Sequence, residues 1–217
     1  MLVTQQQAEL NSVNKLRFVL QKSPENYFNY FIYMMAQQAK PMTCDITPTY
    51  AGLNRAVLRT IADGFLERGV ATKAVFLMRD PVERCWSAAR QKHKIHTGEA
   101  TIAEEEVLAH ARLPGAVMRT RYDMTVTEME SAFDPSMMYV GLYEEMFEAE
   151  NVRKMSKFCG VEARPSLVQE KINATPIVDR LSDSAQKQIA TQYREVYDFA
   201  AKRFPQVLDL WKGFNYL

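Results

Sequence analysis

The chain has few glycines and no complete nucleoside-triphosphate loop. Eight glycines occur among 217 residues, and one pair, Gly64 and Gly69, has the spacing of a P-loop. Val70 and Ala71 stand where a P-loop carries lysine followed by serine or threonine. The sequence therefore argues against an ATP- or GTP-hydrolysing enzyme, and Gly69 is predicted to end a helix instead.

The chain also lacks an excess of charge of either sign. Its 27 lysines and arginines against 26 aspartates and glutamates leave a net charge of +1. So small a charge predicts no nucleic-acid partner and no attraction to an anionic membrane, and any anion must be bound locally. Neither a signal peptide nor a long apolar run is visible, which predicts a cytoplasmic protein.

Cysteine and histidine are scarce. Cys44, Cys85 and Cys159 share no metal or redox spacing, and they are expected to be reduced, buried side chains. His93 and His96 are spaced to share one helix face, but no third metal ligand accompanies them. We therefore predict no metal site.

Apolar periodicity predicts one helix-rich α/β domain over residues 1–217. The predicted helices are Leu53–Leu66, Pro81–Lys92, Tyr122–Phe133, Val152–Phe158 and Ser182–Phe204. The predicted strands are Thr43–Ile46, Val75–Met78 and Met138–Leu142, and the helices between them imply parallel pairing. The polar stretches Lys92–Ala100 and Leu113–Asp123 are predicted to be loops.

The most informative stretch runs from Lys73 to Gln91, where a short apolar run ends at Arg79 and passes into a helical pattern. Asp80 can cap that helix, and Pro81 suits its first position. Arg79 would then leave a strand beside a helix N-terminus, where N–H groups and a guanidinium could converge on a phosphate. Taken alone, the same residues also describe an ordinary strand-to-helix joint with a solvated or salt-bridged arginine.

The string Arg79-Asp80-Pro81, with Arg84 and Ser87 after it, resembles the 3′-phosphate motif of sulfotransferases that use 3′-phosphoadenosine-5′-phosphosulfate (PAPS). The resemblance implies that Arg79 and Ser87 bind the 3′-phosphate of this donor and of its product, adenosine 3′,5′-bisphosphate (PAP). It implies a bracing role for Arg84. No metal cofactor is implied.

Three further segments resemble the carbohydrate-type and bacterial members of this family, and they occur in the family's order. They are Cys44–Leu53, with its Asp-x-Thr-Pro-x-Tyr pattern, Met137–Glu162, with its Tyr-Glu-Glu turn, and Lys171–Pro176, an Asn-x-Thr element. The resemblance implies a three-layer parallel-sheet domain related to P-loop nucleotide folds.

One family segment has no counterpart. The family's phosphosulfate loop, a Lys-x-Gly-Thr-Thr type sequence after a first strand, is absent from this chain. The chain is expected either to be an N-terminally truncated member without that strand and loop, or to have abandoned the sulfate end of the donor. Truncation is the simpler explanation, because an empty central sheet position would expose a strand edge.

Sulfuryl transfer needs a base for the proton of the acceptor, and the resemblance places Asp45 in that role. An aspartate exposed to water has a pKa of about 3.9, so burial would need to raise it. Without the resemblance, Asp45 would be interpreted as a turn carboxylate. Tyr50, Arg121 and Tyr122 are candidates for the acceptor side, although Tyr50 could equally be a core anchor and Arg121 a solvated side chain.

The resemblance implies a small-molecule hydroxyl or amine as acceptor, and the carboxylate at this position favours a carbohydrate or similar polyol. Two other functions stay open. The chain could be a non-catalytic remnant that retains a 3′-phosphonucleotide site, or a helical scaffold whose Ser182–Phe204 segment docks a partner. The oligomeric state is not determined by the sequence.

Overall fold

The structure, a computed structural model, describes residues 12–38, 42–166 and 180–217. It contains two compact units, one made of Met1–Thr47 and Asp63–Val70 and the other of Pro48–Ala62 and Ala71–Leu217. The single domain over residues 1–217 stays a prediction. The predicted Asn-x-Thr element, Lys171–Pro176, lies outside the described residues.

The smaller unit is helical and is held by aromatic side chains. Helix α1 (Ser12–Gln21) packs against α2 (Pro24–Gln38), and α2 contacts the end of α3 (Arg55–Leu66) through aromatic rings. Phe28 and Phe65 meet edge to face with ring centroids 5.0 Å apart. Gly64 permits this contact, because a Cβ there would lie 2.2 Å from Cζ of Phe28.

The larger unit contains the sheet and most of the helices. It includes the 3₁₀ turn Pro48–Gly52, β1 (Ala74–Met78), α4 (Pro81–Thr97), α5 (Glu104–Ala111), α6 (Pro114–Thr120), α7 (Tyr122–Ala132), β2 (Met138–Leu142), α8 (Ala149–Cys159), α9 (Asp183–Gln192), α10 (Arg194–Arg203), α11 (Val207–Leu210) and the 3₁₀ turns Pro135–Met137 and Lys212–Tyr216.

Strands β1 and β2 pair in parallel, in a register that runs from Ala74 opposite Met138 to Met78 opposite Leu142. The core packs against the carboxyl end of this sheet and is built mainly from α4, α5, α7, α9, α10 and the C-terminal turn. Met78 and Leu142 are buried in it, together with Trp211. The α/β class, the parallel pairing and the predicted positions of β1 and β2 are confirmed.

The predicted strand Thr43–Ile46 is wrong, because these residues have no regular secondary structure. The predicted loop Lys92–Ala100 is also wrong over most of its length, since α4 continues to Thr97 and ends at Gly98, whose φ is 80°. Both the loop prediction and the predicted helix end failed here because the last turns of α4 are mostly exposed and polar, so they show little apolar periodicity.

The predicted loop Leu113–Asp123 forms α6 and the start of α7. Pro114 supplies the first helical position, and Ala116 and Thr120 are buried on one side of α6. The predicted helix Ser182–Phe204 is two helices divided at Tyr193. Its hydroxyl donates to the carbonyl of Ala111 at 2.7 Å, so a tertiary contact holds the break.

Candidate anion site at the strand–helix turn

Asp80 holds the turn between β1 and α4 in place. Its side chain is 1% exposed and accepts hydrogen bonds from Val82 N at 3.0 Å, the Tyr197 hydroxyl at 2.5 Å and Gly213 N at 2.8 Å. The predicted cap is confirmed. The same contact corrects one expectation, because this carboxylate already occupies the helix N-terminus, where a phosphate was expected to meet the N–H groups.

Gly213 allows the C-terminal turn to approach Asp80 this closely. A Cβ on Gly213 would lie 1.8 Å from the hydroxyl oxygen of Tyr197. Burial, followed by the nearby Asp80 carboxylate, raises the pKa of Tyr197, so its phenol stays protonated and can donate. The C-terminal turn and α10 therefore both bind the strand–helix turn through Asp80.

Glu144 and Tyr122 hold the backbone of the turn from two other elements. Glu144 accepts from Asp80 N at 2.9 Å and from Trp211 Nε1 at 3.1 Å, and its burial raises its pKa. The Tyr122 hydroxyl donates to the carbonyl of Arg79 at 2.9 Å. Since Tyr122 is 2% exposed, the structure places this acceptor-side candidate in the core, beneath Arg79.

Arg79 projects from this rigid backbone to the surface. Its guanidinium carbon lies 4.7 Å from the centre of the Tyr143 ring, and Nη2 is 3.5 Å from the Glu83 carboxylate. No hydrogen bond joins its guanidinium to the described residues. With 27% of its side chain exposed, Arg79 offers several donors to a ligand.

Sequence reasoning did not identify Tyr143. The parallel register places Met78 opposite Leu142, so the residues that follow the two strands, Arg79 and Tyr143, leave the same edge of the sheet side by side. Tyr143 N also donates to the carbonyl of Met78 at 2.7 Å. The two strands were predicted to run parallel and to end at Met78 and Leu142, so the residues after these ends were the sequence signal that could have identified Tyr143.

Ser87 lies two turns into α4 and is half-buried. It follows Glu83 by four residues and so shares its helix face. Its hydroxyl has no hydrogen-bond partner among the residues that the structure describes. Arg84 points elsewhere and donates to the carbonyl of Ala116 at 3.0 Å, which joins α4 to α6. Arg79, Glu83 and Ser87 therefore form one surface of the turn, which we call the α4 face.

The remaining acceptor-side candidates have partners of their own. Arg121 Nε donates to Asp123 at 2.9 Å and its Nη2 lies 3.0 Å from Glu195. Burial opposes ionisation of Asp123, but the hydrogen bonds from Arg121 outweigh it and lower the Asp123 pKa. Tyr50 is half-buried in the Pro48–Gly52 turn, which is bound to α7 through the Thr125 hydroxyl and the Ala51 carbonyl, 2.7 Å apart.

Asp45 lies in the smaller unit and is exposed. Its carboxylate accepts from the Thr47 hydroxyl at 2.6 Å and from the Tyr27 hydroxyl at 3.2 Å. The burial that a catalytic role was expected to need is therefore absent, while two hydroxyl groups orient the carboxylate.

No group of histidine, cysteine, aspartate or glutamate suited to a metal ion occurs in residues 12–38, 42–166 and 180–217. His93 instead lies 3.2 Å from Glu106. Cys85 is buried as predicted, but Cys44 is exposed and Cys159 only partly buried. Within the same ranges, no helix has the length and apolar character needed to cross a bilayer.

The fold and the turn together define an α/β protein in which Arg79 and Tyr143 lie side by side at the carboxyl end of the sheet. The family model described as "Sulfotransferase domain" matches residues 65–202, more than half of the chain. The chain belongs to the sulfotransferase family, whose members transfer sulfuryl groups. The matched range contains Arg79 and Ser87 and begins after Asp45 and Tyr50. No curated protein and no solved structure matched the chain.

Proposed function

We propose that this protein binds PAPS through the α4 face and transfers its sulfuryl group to a hydroxyl or amine of a small-molecule or carbohydrate acceptor, releasing PAP. The observation that supports this most directly is the state of Arg79. Its backbone carbonyl accepts from the Tyr122 hydroxyl, its guanidinium lies on the Tyr143 ring, and no described residue accepts a hydrogen bond from that guanidinium.

The α4 face fits the 3′-phosphate end of the donor. A guanidinium forms strong, charge-assisted hydrogen bonds with phosphate oxygens, and the Ser87 hydroxyl can add another from the same face. Tyr143 and Phe147 are 37% and 47% exposed, with rings 5.4 Å apart. They offer an apolar border on which a nucleotide base can stack.

PAPS supplies the sulfuryl group, and the acceptor oxygen or nitrogen forms a bond to sulfur as the bond from sulfur to the phosphate oxygen breaks. We assign the acceptor proton to Asp45, whose carboxylate is oriented by Thr47 and Tyr27. Tyr50 and Arg121 stay candidates for the acceptor side. For Tyr122 we propose support of the Arg79 backbone in place of substrate contact, because its hydroxyl is engaged there.

The near-neutral charge supports a small-molecule or carbohydrate acceptor over a nucleic acid. We also propose a cytoplasmic location. A second candidate function is binding of the 3′-phosphonucleotide without transfer. It is favoured by one observation, the exposure of Asp45, because the burial that a catalytic carboxylate was expected to need is absent.

The first test is a thermal-shift titration with PAP against 5′-AMP. A ligand that binds only the folded state adds about 2.7 kcal/mol of stability at about a hundred times its dissociation constant. We expect stabilisation by PAP and little by 5′-AMP. Arg79→Ala should weaken PAP binding about tenfold to a hundredfold, since charged hydrogen bonds are lost.

Arg164→Ala serves as the matched control, because Arg164 is a surface arginine that is 67% exposed. Equal loss of binding in both arginine variants would contradict a specific role for Arg79. If the folded parent protein is not stabilised by PAP, the proposed function is refuted. Sulfate transfer from PAPS to a panel of sugars then separates the enzyme from the non-catalytic alternative.

A further inference from the structure

Glu83 occupies a helix position from which a glutamate usually binds the backbone N–H of the cap residue, but another side chain binds that N–H here. With Asp80 as the N-cap, Glu83 is the third helical residue, from which a glutamate side chain commonly reaches back to the N–H of the cap residue. Here Glu144 accepts that N–H at 2.9 Å. The Glu83 carboxylate is thereby left to approach Nη2 of Arg79, at 3.5 Å.

Glu83 therefore stands on the α4 face with Arg79 on one side and Ser87 one turn further on. A phosphate held by these two residues would lie next to the Glu83 carboxylate, and adjacent like charges repel. The pair that Glu83 makes with Arg79 is half exposed, with side-chain exposures of 27% and 37%. An exposed ion pair is weak, so an arriving anion can open it.

Resting on the proposed function, we propose that Glu83 is an internal counter-anion of the nucleotide site. In the free protein its carboxylate pairs with the Arg79 guanidinium and keeps that group directed along the α4 face. The 3′-phosphate displaces it on binding. The carboxylate consequently weakens the binding of 3′-phosphonucleotides and speeds their release, so the protein gives up part of its affinity for faster exchange of PAP.

The test is the dissociation constant and dissociation rate of PAP for Glu83→Gln, measured by calorimetry and stopped-flow mixing. Removing the competing charge should tighten PAP binding about three- to tenfold, mostly through slower dissociation, and leave 5′-AMP unaffected. Glu83→Ala should change the affinity in the same direction. The unliganded unfolding midpoints of both variants should stay close to that of the parent protein.

Two controls make the result specific. Glu150→Gln makes the same chemical change in another exposed pair, with Lys154 at 2.7 Å on α8, and should leave PAP binding unchanged. In an Arg79→Ala background, Glu83→Gln should tighten binding less than it does in the parent protein, because the competition for Arg79 is gone and only the repulsion of the phosphate remains.

Three results would overturn the inference. If Glu83→Gln binds PAP no more tightly than the parent protein while Arg79→Ala weakens binding, Glu83 is not a counter-anion but the proposed function stands. If the tightening extends to 5′-AMP or to Glu150→Gln, it is a general effect of net charge. If neither the parent protein nor Glu83→Gln binds PAP, the proposed function fails and this inference fails with it.

Discussion

Asp80 shows how a single buried charge can determine the orientation of a neighbouring surface arginine. In the part of the chain that the structure describes, its carboxylate is held by neutral donors, two backbone N–H groups and one phenol. A buried carboxylate is tolerated only when such bonds replace water. Because those donors come from α4, α10 and the C-terminal turn, the position of Arg79 depends on three elements at once.

Tyr197→Phe tests this arrangement at the scale of one hydroxyl. The change leaves one oxygen of a buried carboxylate with fewer donors, which we expect to cost about 1–3 kcal/mol in the free energy of unfolding. Urea unfolding measures it. Tyr33→Phe removes the hydroxyl of a tyrosine that is 59% exposed and should change stability by less than about 0.5 kcal/mol. Equal effects of the two changes would contradict the role of Tyr197.

At the scale of the element, two helices end in the same way. Gly69 has φ of 74° and Gly160 has φ of 79°, and each is followed by a valine whose N–H reaches back into the last turn. Val70 donates to the carbonyl of Phe65 at 3.0 Å, and Val161 donates to that of Ser156 at 3.0 Å. This is the Schellman pattern, and the Gly69 end confirms the sequence prediction.

Gly160→Ala should destabilise the protein by about 1–2 kcal/mol, because a left-handed backbone strains any residue with a Cβ. The loss comes from the backbone alone, since an added Cβ would meet nothing within 4 Å. Gly160→Asn should be milder. Gly115→Ala is the control inside α6. An added Cβ there would lie 3.3 Å from Nη2 of Arg119, the end of a flexible side chain that can move aside, so the change should be neutral or stabilising. Thermal unfolding distinguishes the two sites by the sign of the change.

For the whole molecule, buried tyrosines predict a loss of stability in alkali. Burial raises the pKa of Tyr193 to about 12 and also raises the pKa values of Tyr122 and Tyr197. A raised pKa gives stability that is fully present below the unfolded pKa, about 10 for tyrosine, and is lost as the pH rises towards the folded value. The native fold should therefore weaken above about pH 10.

Each buried tyrosine should lower the free energy of unfolding by about 1.4 kcal/mol per pH unit in this range. Tyr193→Phe should lower the stability at neutral pH, because the hydrogen bond to the Ala111 carbonyl is lost. It should also make the fall of the unfolding free energy with pH less steep, by the contribution of one titrating group. Urea unfolding from about pH 8 to about pH 12 measures both. A slope that is unchanged in Tyr193→Phe would contradict this explanation.

Local chemistry in the sequence determined β1, the Asp80 cap, Pro81 at the start of α4 and the positions of Arg79 and Ser87. These signals act over a few residues, because a proline ring sets its own φ and a capping side chain reaches only the next turn.

Tertiary structure decided the rest of the site. Glu144, which accepts a hydrogen bond from Asp80 N, lies 64 positions away along the chain, and Gly213, which donates to the Asp80 carboxylate, lies 133 positions away. Tyr143 contacts Arg79 only because of the strand register. Glu83 turns to Arg79 because Glu144, from beyond β2, takes the N–H that a local pattern would have assigned to Glu83.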